Sequence, residues 1–231
     1  DFEYYAPEYS ILEAPYLFRD KEHFINFMNT YGEQIFSEVQ AKSGIMTSAW
    51  YYRGARMITS NKKIVEPSDL QGIKFRLPSI PVRVKVFEAF GASPTIVDFS
   101  ELYMALKTGT VDAQENPPET IYAYKYYEAQ KYLIESSHIF TLARYMTSES
   151  WYNSLSAEDQ AMFDKAWADA QEKVFAECPD PDETYIQLLQ DEGMEIVEPD
   201  NDAFIELAAP VVKEYNDANW KEGLLDLVNS L

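Results

Sequence analysis

Apolar residues recur at helical spacing in some stretches and alternate with polar ones in others, and the two periods divide the chain into helices and short strands. Phe24, Phe27, Met28 and Ile35 fall on one side of a helix predicted over His23–Val39. Gly44–Trp50 and Ile73–Leu77 read as strands, and Lys63–Gly72, with Pro67, Ser68 and Asp69, as a turn or helix start. Pro81–Phe90 is a predicted helix: proline suits its first turn, Val82, Val86, Phe87 and Phe90 form its buried side, and Gly91 ends it. Ser100 is placed as the cap of the next helix, with Leu102, Ala105 and Leu106 inward and Gly109 as terminator. Val111–Gln114 is extended and Glu119–Tyr132 helical. Ser156-Ala-Glu-Asp159 opens the clearest helix, with Met162, Phe163, Ala166, Trp167, Ala170 and Val174 as its predicted buried face. Cys178-Pro-Asp-Pro-Asp182 breaks it, Met194–Val197 is a strand, and Asp202 caps a last helix running to about Tyr215. Helices alternating with short strands predict an α/β protein.

The length, 231 residues, is long for one compact domain and comfortable for two small ones. Apolar residues make up 46%, enough for a substantial core. The formal charge of −20 repels phosphate backbones and anionic membrane surfaces, which argues against a nucleic-acid or membrane-surface role. No stretch reaches the roughly 18 to 20 apolar residues of a membrane span, so direct membrane insertion is not expected. Cys178 is the single cysteine, so redox compartment is not legible from cysteine usage.

Charge distribution changes this picture. Between Tyr51 and Lys85 lie Arg53, Arg56, Lys62, Lys63, Lys74, Arg76, Arg83 and Lys85, opposed only by Glu66 and Asp69. This stretch is +6 on a chain whose remainder is −26. A solvated face accounts for its lysines. Arg76 differs: in Ile73-Lys74-Phe75-Arg76-Leu77-Pro78 it shares a strand face with Lys74, opposite Ile73, Phe75 and Leu77, and Pro78 stops the ladder directly after it. Ligands of open α/β sheets bind at that strand end, and a guanidinium fork matches a carboxylate.

Asp69-Leu-Gln-Gly-Ile-Lys-Phe-Arg-Leu-Pro78, Phe87-Glu-Ala-Phe-Gly-Ala-Ser-Pro94, Phe99-Ser-Glu-Leu-Tyr-Met-Ala-Leu106, Val111-Asp-Ala-Gln-Glu-Asn-Pro117 and Tyr126-Tyr-Glu-Ala-Gln-Lys-Tyr132 occur in this order. Together with Pro15-Tyr-Leu-Phe-Arg-Asp20 and Gly54-Ala-Arg56-Met-Ile-Thr-Ser60 they resemble the substrate-binding proteins of tripartite ATP-independent periplasmic (TRAP) transporters, of the kind that carries C4-dicarboxylates, sialic acid and sugar acids, over about Pro15 to Val197. The resemblance implies a two-lobe α/β fold of the periplasmic-binding-protein kind, with crossing hinge strands and a long helix in the C-terminal half. It implies lobe I from residues 1–53 and 142–181 and lobe II from 54–141 and 182–231, closing about strands near Ala49–Arg53 and Phe140–Arg144. It also implies capture of a small organic acid in the periplasm for delivery to TRAP permease membrane subunits, with neither cofactor nor metal.

By the same resemblance Arg76 clamps the ligand carboxylate, Arg56 is a second contact, Asn116 contributes an amide, and Phe99 lines the pocket. Glu115, Asp98 and Trp50 are candidates as neighbours of those positions. His23 and His138 read as ordinary core or surface histidines, and Asp180-x-Asp182 lacks the glycine and spacing of a calcium loop. Ala113 stands where the family has glycine, and Pro179 and Pro181 interrupt the region of the long helix. The strand and helices with which the family's mature proteins begin have no counterpart here, so a further N-terminal segment with a removed secretion signal is expected in the natural product. An enzyme acting on an organic acid is the rival reading. It lacks a glycine-x-serine-x-glycine elbow, a phosphate loop and a dinucleotide fingerprint, and two histidines make no metal set, so no catalytic residue is assigned. A sensory ligand-binding module is a second alternative that would share the pocket.

Overall fold

The structure is a computed structural model describing residues 2–231. Two 3₁₀ turns, Phe2–Tyr4 and Pro7–Glu13, bury Phe2, Tyr9, Ile11 and Leu12, while Tyr4 and Tyr5 stay exposed. Helix α1 (Lys21–Ser43) follows, its first turn capped by Asp20, which accepts from the His23 N–H at 2.7 Å. Gly44, at φ 67°, ends it in the left-handed conformation that only glycine adopts without strain. Then come β1 (Ile45–Ser60), β2 (Lys74–Leu77), α2 (Pro81–Ala89), β3 (Ser93–Ile96), α3 (Leu102–Lys107), β4 (Ala113–Asn116), α4 (Pro118–Ala123) and β5 (Tyr132–Ser148). The C-terminal third holds α5 (Glu149–Tyr152), α6 (Ala157–Glu177), α7 (Pro181–Asp191), β6 (Glu195–Val197), α8 (Asn201–Asn219) and α9 (Leu224–Asn229).

Among the described residues the strands form one six-stranded sheet in the order β3-β2-β4-β1-β5-β6. β2 is parallel to β3 and β4, and β5 is parallel to β6, while β1 runs antiparallel to β4 and β5. The α/β expectation holds. Side chains alternate between two core layers, as strand pleating requires. Leu133 joins Met57, Leu102, Tyr126 and Leu189 on one face, and its neighbour Ile134 joins Ile58, Phe75, Phe87 and Phe204 on the other. The second layer also takes in Phe24, Phe27, Met28 and Ile35 of α1, the face the periodicity had marked.

β1 and β5 are long, at 16 and 17 residues, and form the antiparallel ribbon on which the sheet is hung. Their pairing slips at three places, one of them between Tyr52 and Gly54. Gly54 sits there at φ 112°, and a Cβ on it would come within 2.6 Å of Asp182 Oδ1. Glycine is therefore required twice over, by backbone conformation and by space. Asp182 uses the approach to accept from the Ala55 N–H at 2.9 Å and the Tyr52 hydroxyl at 2.5 Å, tying the start of α7 to the ribbon.

Several local expectations are corrected. The helix placed at Glu119–Tyr132 stops at Ala123, because Lys125 turns left-handed at φ 56° and lets Tyr126 swing fully into the core; Tyr132 already opens β5. Ser100 caps nothing: it lies inside a 3₁₀ turn, Phe99–Glu101, that runs into α3. The cap of α8 is Asp200, accepting from the Ala203 N–H, rather than Asp202. The largest departure is α6. Ser156 caps it as expected and it breaks at Cys178, but Met162 is 63% exposed, Ala166 is exposed, and Phe163, Trp167, Ala170 and Val174 are only half-buried. Helical periodicity marks the face correctly, but only α5 and the β1–β5 ribbon meet it. Trp167 stacks on Tyr145 at 4.1 Å, and Phe163 packs against Trp151 and Tyr152.

Candidate ligand-binding site

The parallel strands β2, β3 and β4 deliver their C-terminal ends to one place. Arg76 sits one residue from the end of β2, opposite Thr95 of β3; Asp98 and Phe99 follow β3; Asn116 is the last residue of β4. Arg56 reaches the same place from β1, whose Met57 pairs with Asn116. These five residues, with Arg53, Arg83, Ser79 and Tyr124, line a cavity of about 440 Å³. A second cavity of about 190 Å³ shares Arg53, Arg56 and Arg83 with the first and continues along β5 past Phe140, Leu142 and Arg144 to Glu13 and Phe2.

The arginines are held in two different ways. Arg56 and Arg83 converge on Glu115, which is fully buried. Arg56 grips it through Nε to Oε2 and Nη2 to Oε1 at 2.9 Å, and also donates to the Glu115 carbonyl at 2.8 Å and to Asn116 Oδ1 at 3.0 Å. Arg83 reaches Glu115 Oε1 at 3.3 Å and binds Glu13 with its other terminal nitrogen. Burial alone would raise the Glu115 carboxyl, but the fields of Arg56 and Arg83 outweigh it and hold the group well below the usual carboxylate range. The ionised carboxylate only accepts, so His138 Nε2, 3.2 Å away, carries the ring hydrogen, and Nδ1 accepts from the Ser136 hydroxyl at 2.8 Å. Burial pushes the His138 pKa down, so the ring is neutral.

Arg76 has no such partner. It is buried, its Nε donates to the Val97 carbonyl at 2.9 Å, and among the described residues no carboxylate lies within ion-pair distance. Desolvation lowers its pKa, the sign that a cation has been taken out of water, and the Glu115 charge beyond Arg56 offsets only part of that. A guanidinium in a cavity wall with no carboxylate partner has the chemistry to take an anion with two coplanar oxygens.

Of the seven residues expected from the sequence, Arg76, Arg56, Asn116, Phe99 and Asp98 line the larger cavity. Glu115 lies beneath it as the counter-charge of the arginines. Trp50 does not join them. It stands earlier on β1, where its backbone N–H donates to Gln171 and its ring meets Phe175 edge-on, because the register shift at Tyr52–Gly54 breaks the alternation between Trp50 and Arg56. Sequence reasoning left unassigned Arg83, Glu13, His138 and Arg144. Arg83 was visible as part of the basic island. The other three carry no local signal, since Glu13 precedes β1 and His138 and Arg144 belong to β5, more than 50 residues after Arg83.

The described residues contain no group of three or more His, Cys, Asp or Glu arranged to hold a metal, and no helix is long and apolar enough to cross a membrane. The family model described as bacterial extracellular solute-binding protein, family 7, matches residues 1–218. A solute-binding protein of Roseobacter denitrificans is 35% identical over 98% of this chain and 69% of its own length. The sialic acid-binding periplasmic protein SiaP of Vibrio cholerae is 30% identical over 92% of this chain and 66% of its own. The chain thus spans about two thirds of the length of these relatives. The crystal structure of a TRAP periplasmic solute binding protein from Roseobacter denitrificans with bound L-galactonate superposes with a TM-score of 0.85 at 34% identity, covering 99% of this chain and 75% of that one. An arginine-lined cavity at the ends of parallel strands, in a chain matched by this family almost throughout, identifies the protein as a member of the bacterial extracellular solute-binding proteins of family 7, the solute-binding proteins of TRAP transporters.

Proposed function

We propose that this chain captures a small organic acid in the periplasm and hands it to a TRAP permease, catalysing nothing itself. The observation that carries the reading is Arg76: a buried guanidinium, without a carboxylate partner among the described residues, at the wall of a cavity of about 440 Å³. The ligand's carboxylate is the missing partner. Asn116 and Arg56 stand beside it as further polar contacts, Asp98 at the rim is an acceptor for hydroxyl groups, and Phe99 and Tyr124, packed edge-to-face at 4.7 Å, form an apolar wall. That relatives bind L-galactonate and sialic acid, both hydroxylated carboxylates, supports this class of ligand.

In this reading residues 1–53 and 142–181 form lobe I and 54–141 and 182–231 lobe II. Ala49–Arg53 and Phe140–Arg144 of the β1–β5 ribbon act as the hinge about which they close. Closure excludes water and strengthens the charge-assisted bonds to Arg76. Against catalysis stands the burial of the hydroxyl–imidazole–carboxylate chain Ser136–His138–Glu115, which lines neither cavity. The test is calorimetry of Arg76→Ala with the acid that co-purifies with the protein, identified by mass spectrometry. The expected loss is on the order of 3 to 5 kcal/mol, several hundredfold or more in affinity, with the thermal melt of the unliganded protein unchanged. Affinity near that of the unsubstituted protein refutes the reading.

A further inference from the structure

We propose that Gln114, Thr59 and Gln130 are positioning residues: they form a one-way hydrogen-bond chain behind the cavity that turns the Asn116 amide so that it meets the ligand as an N–H donor. This rests on the reading of the larger cavity as the ligand site and adds to it three residues that line neither cavity.

The chain starts from a pleat. Gln114 and Asn116, two residues apart, share one face of β4, and Gln114 stands opposite Thr59 of β1. Gln130 reaches Thr59 from the loop before β5. All four are buried, at 4% exposure or less. The direction of every bond follows from the two ends. At the cavity end Arg56 Nη2 lies 3.0 Å from Asn116, and a guanidinium only donates, so Asn116 turns Oδ1 to it. That leaves Nδ2 to donate to Gln114 Oε1 at 2.5 Å. Gln114 then presents Nε2 to the Thr59 hydroxyl, 3.0 Å away, and the hydroxyl, having accepted, donates to Gln130 Oε1 at 3.1 Å. At the far end Gln130 Nε2 donates to the Ala129 carbonyl at 3.1 Å, and a carbonyl only accepts. A donor-only group at one end and an acceptor-only group at the other impose the same sense on the chain. No amide in it turns over without setting donor against donor or acceptor against acceptor.

One hydrogen is left over. Asn116 Nδ2 carries two, Gln114 takes one, and among the described residues none accepts the other, while Asn116 lines the cavity. With Asn116 Oδ1 held by Arg56, the amide joins Arg76 and Arg56 as a donor, a set that suits ligand oxygens carrying no hydrogen. Burying three polar side chains has a desolvation cost that an apolar cross-strand pair would avoid, and fixing the amide in advance removes the entropy of ordering it when the ligand binds.

A double-mutant cycle between Thr59 and Asn116 tests this, with L-galactonate and D-erythronate as probes in calorimetry. Thr59→Val removes the hydroxyl and is expected to weaken binding by about tenfold, whereas Thr59→Ser keeps the hydroxyl and stays within about threefold of the unsubstituted protein. In an Asn116→Ala background Thr59→Val should change affinity by less than about twofold, because the group it orients is gone. A merely structural Thr59 would lower the melting temperature and leave affinity alone in both backgrounds. Affinity of the Thr59→Val protein within about threefold of the unsubstituted one, or an equal loss with and without Asn116, overturns the inference, and the carboxylate reading stands or falls separately on Arg76→Ala. If Thr59→Val does not fold, nitrogen-15 NMR of the unsubstituted, unliganded protein decides. One sharp set of side-chain amide signals for Gln114 and Asn116 is expected, and doubled or exchange-broadened signals overturn the fixed orientation. Binding of neither probe overturns the inference together with the reading beneath it.

Discussion

The floor shared by the two cavities and their outer ends hold the same residue in opposite settings. On the floor, Arg56 and Arg83 share Glu115 and Glu13 in a closed lattice with His138 and Ser136. At the ends, Arg76 is buried and Arg144 half-buried, yet neither forms an ion pair with a carboxylate among the described residues. Removing a buried charge from its partner is what costs stability, whereas a cation that awaits its partner costs affinity when removed. Stability and binding should therefore separate cleanly by arginine, and each measurement below is aimed at that separation.

The largest effect is expected at the floor. Glu115→Gln keeps the shape but leaves Arg56 and Arg83 with one carboxylate between them in a fully buried setting. A loss of about 3 to 5 kcal/mol in unfolding free energy is expected from urea titration, against no loss for Arg76→Ala. If Glu115→Gln melts like the unsubstituted protein, the division between floor and ends is wrong.

The floor should also titrate where the ends do not. The His138 pKa is lower folded than unfolded, so the unfolded chain takes up the proton first. Stability then falls as pH drops below about 6.5 and goes on falling until the lower folded value is passed. The Glu115 contribution lies at lower pH, present above the unfolded value of about 4.3 and lost only as pH falls through its depressed folded value. Between about pH 6.5 and 5 the floor therefore changes through His138, by at most about 1.4 kcal/mol per pH unit, and His138→Gln should flatten that part of the curve of melting temperature against pH. The Arg76 cation stays charged throughout, so ligand affinity should change little over the same window. An equal pH slope in the His138→Gln protein would mean that other groups carry it.

The smallest effect belongs to Arg53, which sits at the rim. Its ion pair with Glu119 is more than a third exposed on both sides, so water screens it. Arg53→Met should change unfolding free energy by less than about 1 kcal/mol. A loss as large as that of Glu115→Gln would place Arg53 in the buried lattice instead.

How much of this was legible beforehand follows from range in the chain. Strand β2, the proline-led α2, and the Ser156 and Cys178 boundaries of α6 were readable because each depends on a few consecutive residues: a period-2 pattern, a fixed φ, a side chain bonding three positions ahead. Arg76 was readable because its strand, its stop at Pro78 and its family motif coincide within ten residues. The helix misplaced over Glu119–Tyr132 failed for a converse reason: local spacing there permits a helix, and the burial of Tyr126 and the pairing of Tyr132 in β5 override it.

By itself the sequence determined the α/β class, the basic island and the place of Arg76 at the end of a strand, since each is written in adjacent positions. Tertiary structure alone decided which arginines are spent and which are open, because ion pairing depends on Glu13 and His138, brought to Glu115 from about 100 residues before and 23 after it. It also decided that Trp50 turns away from the cleft while Arg56 enters it, through bulges in β1 that no spacing rule announces, and that Arg144 stands in an apolar row beside the same cleft. Periodicity marks which face of an element is apolar. It is silent on what that face meets, and the half-exposed aromatics of α6 and the carboxylate-free guanidinium of Arg144 both follow from that silence.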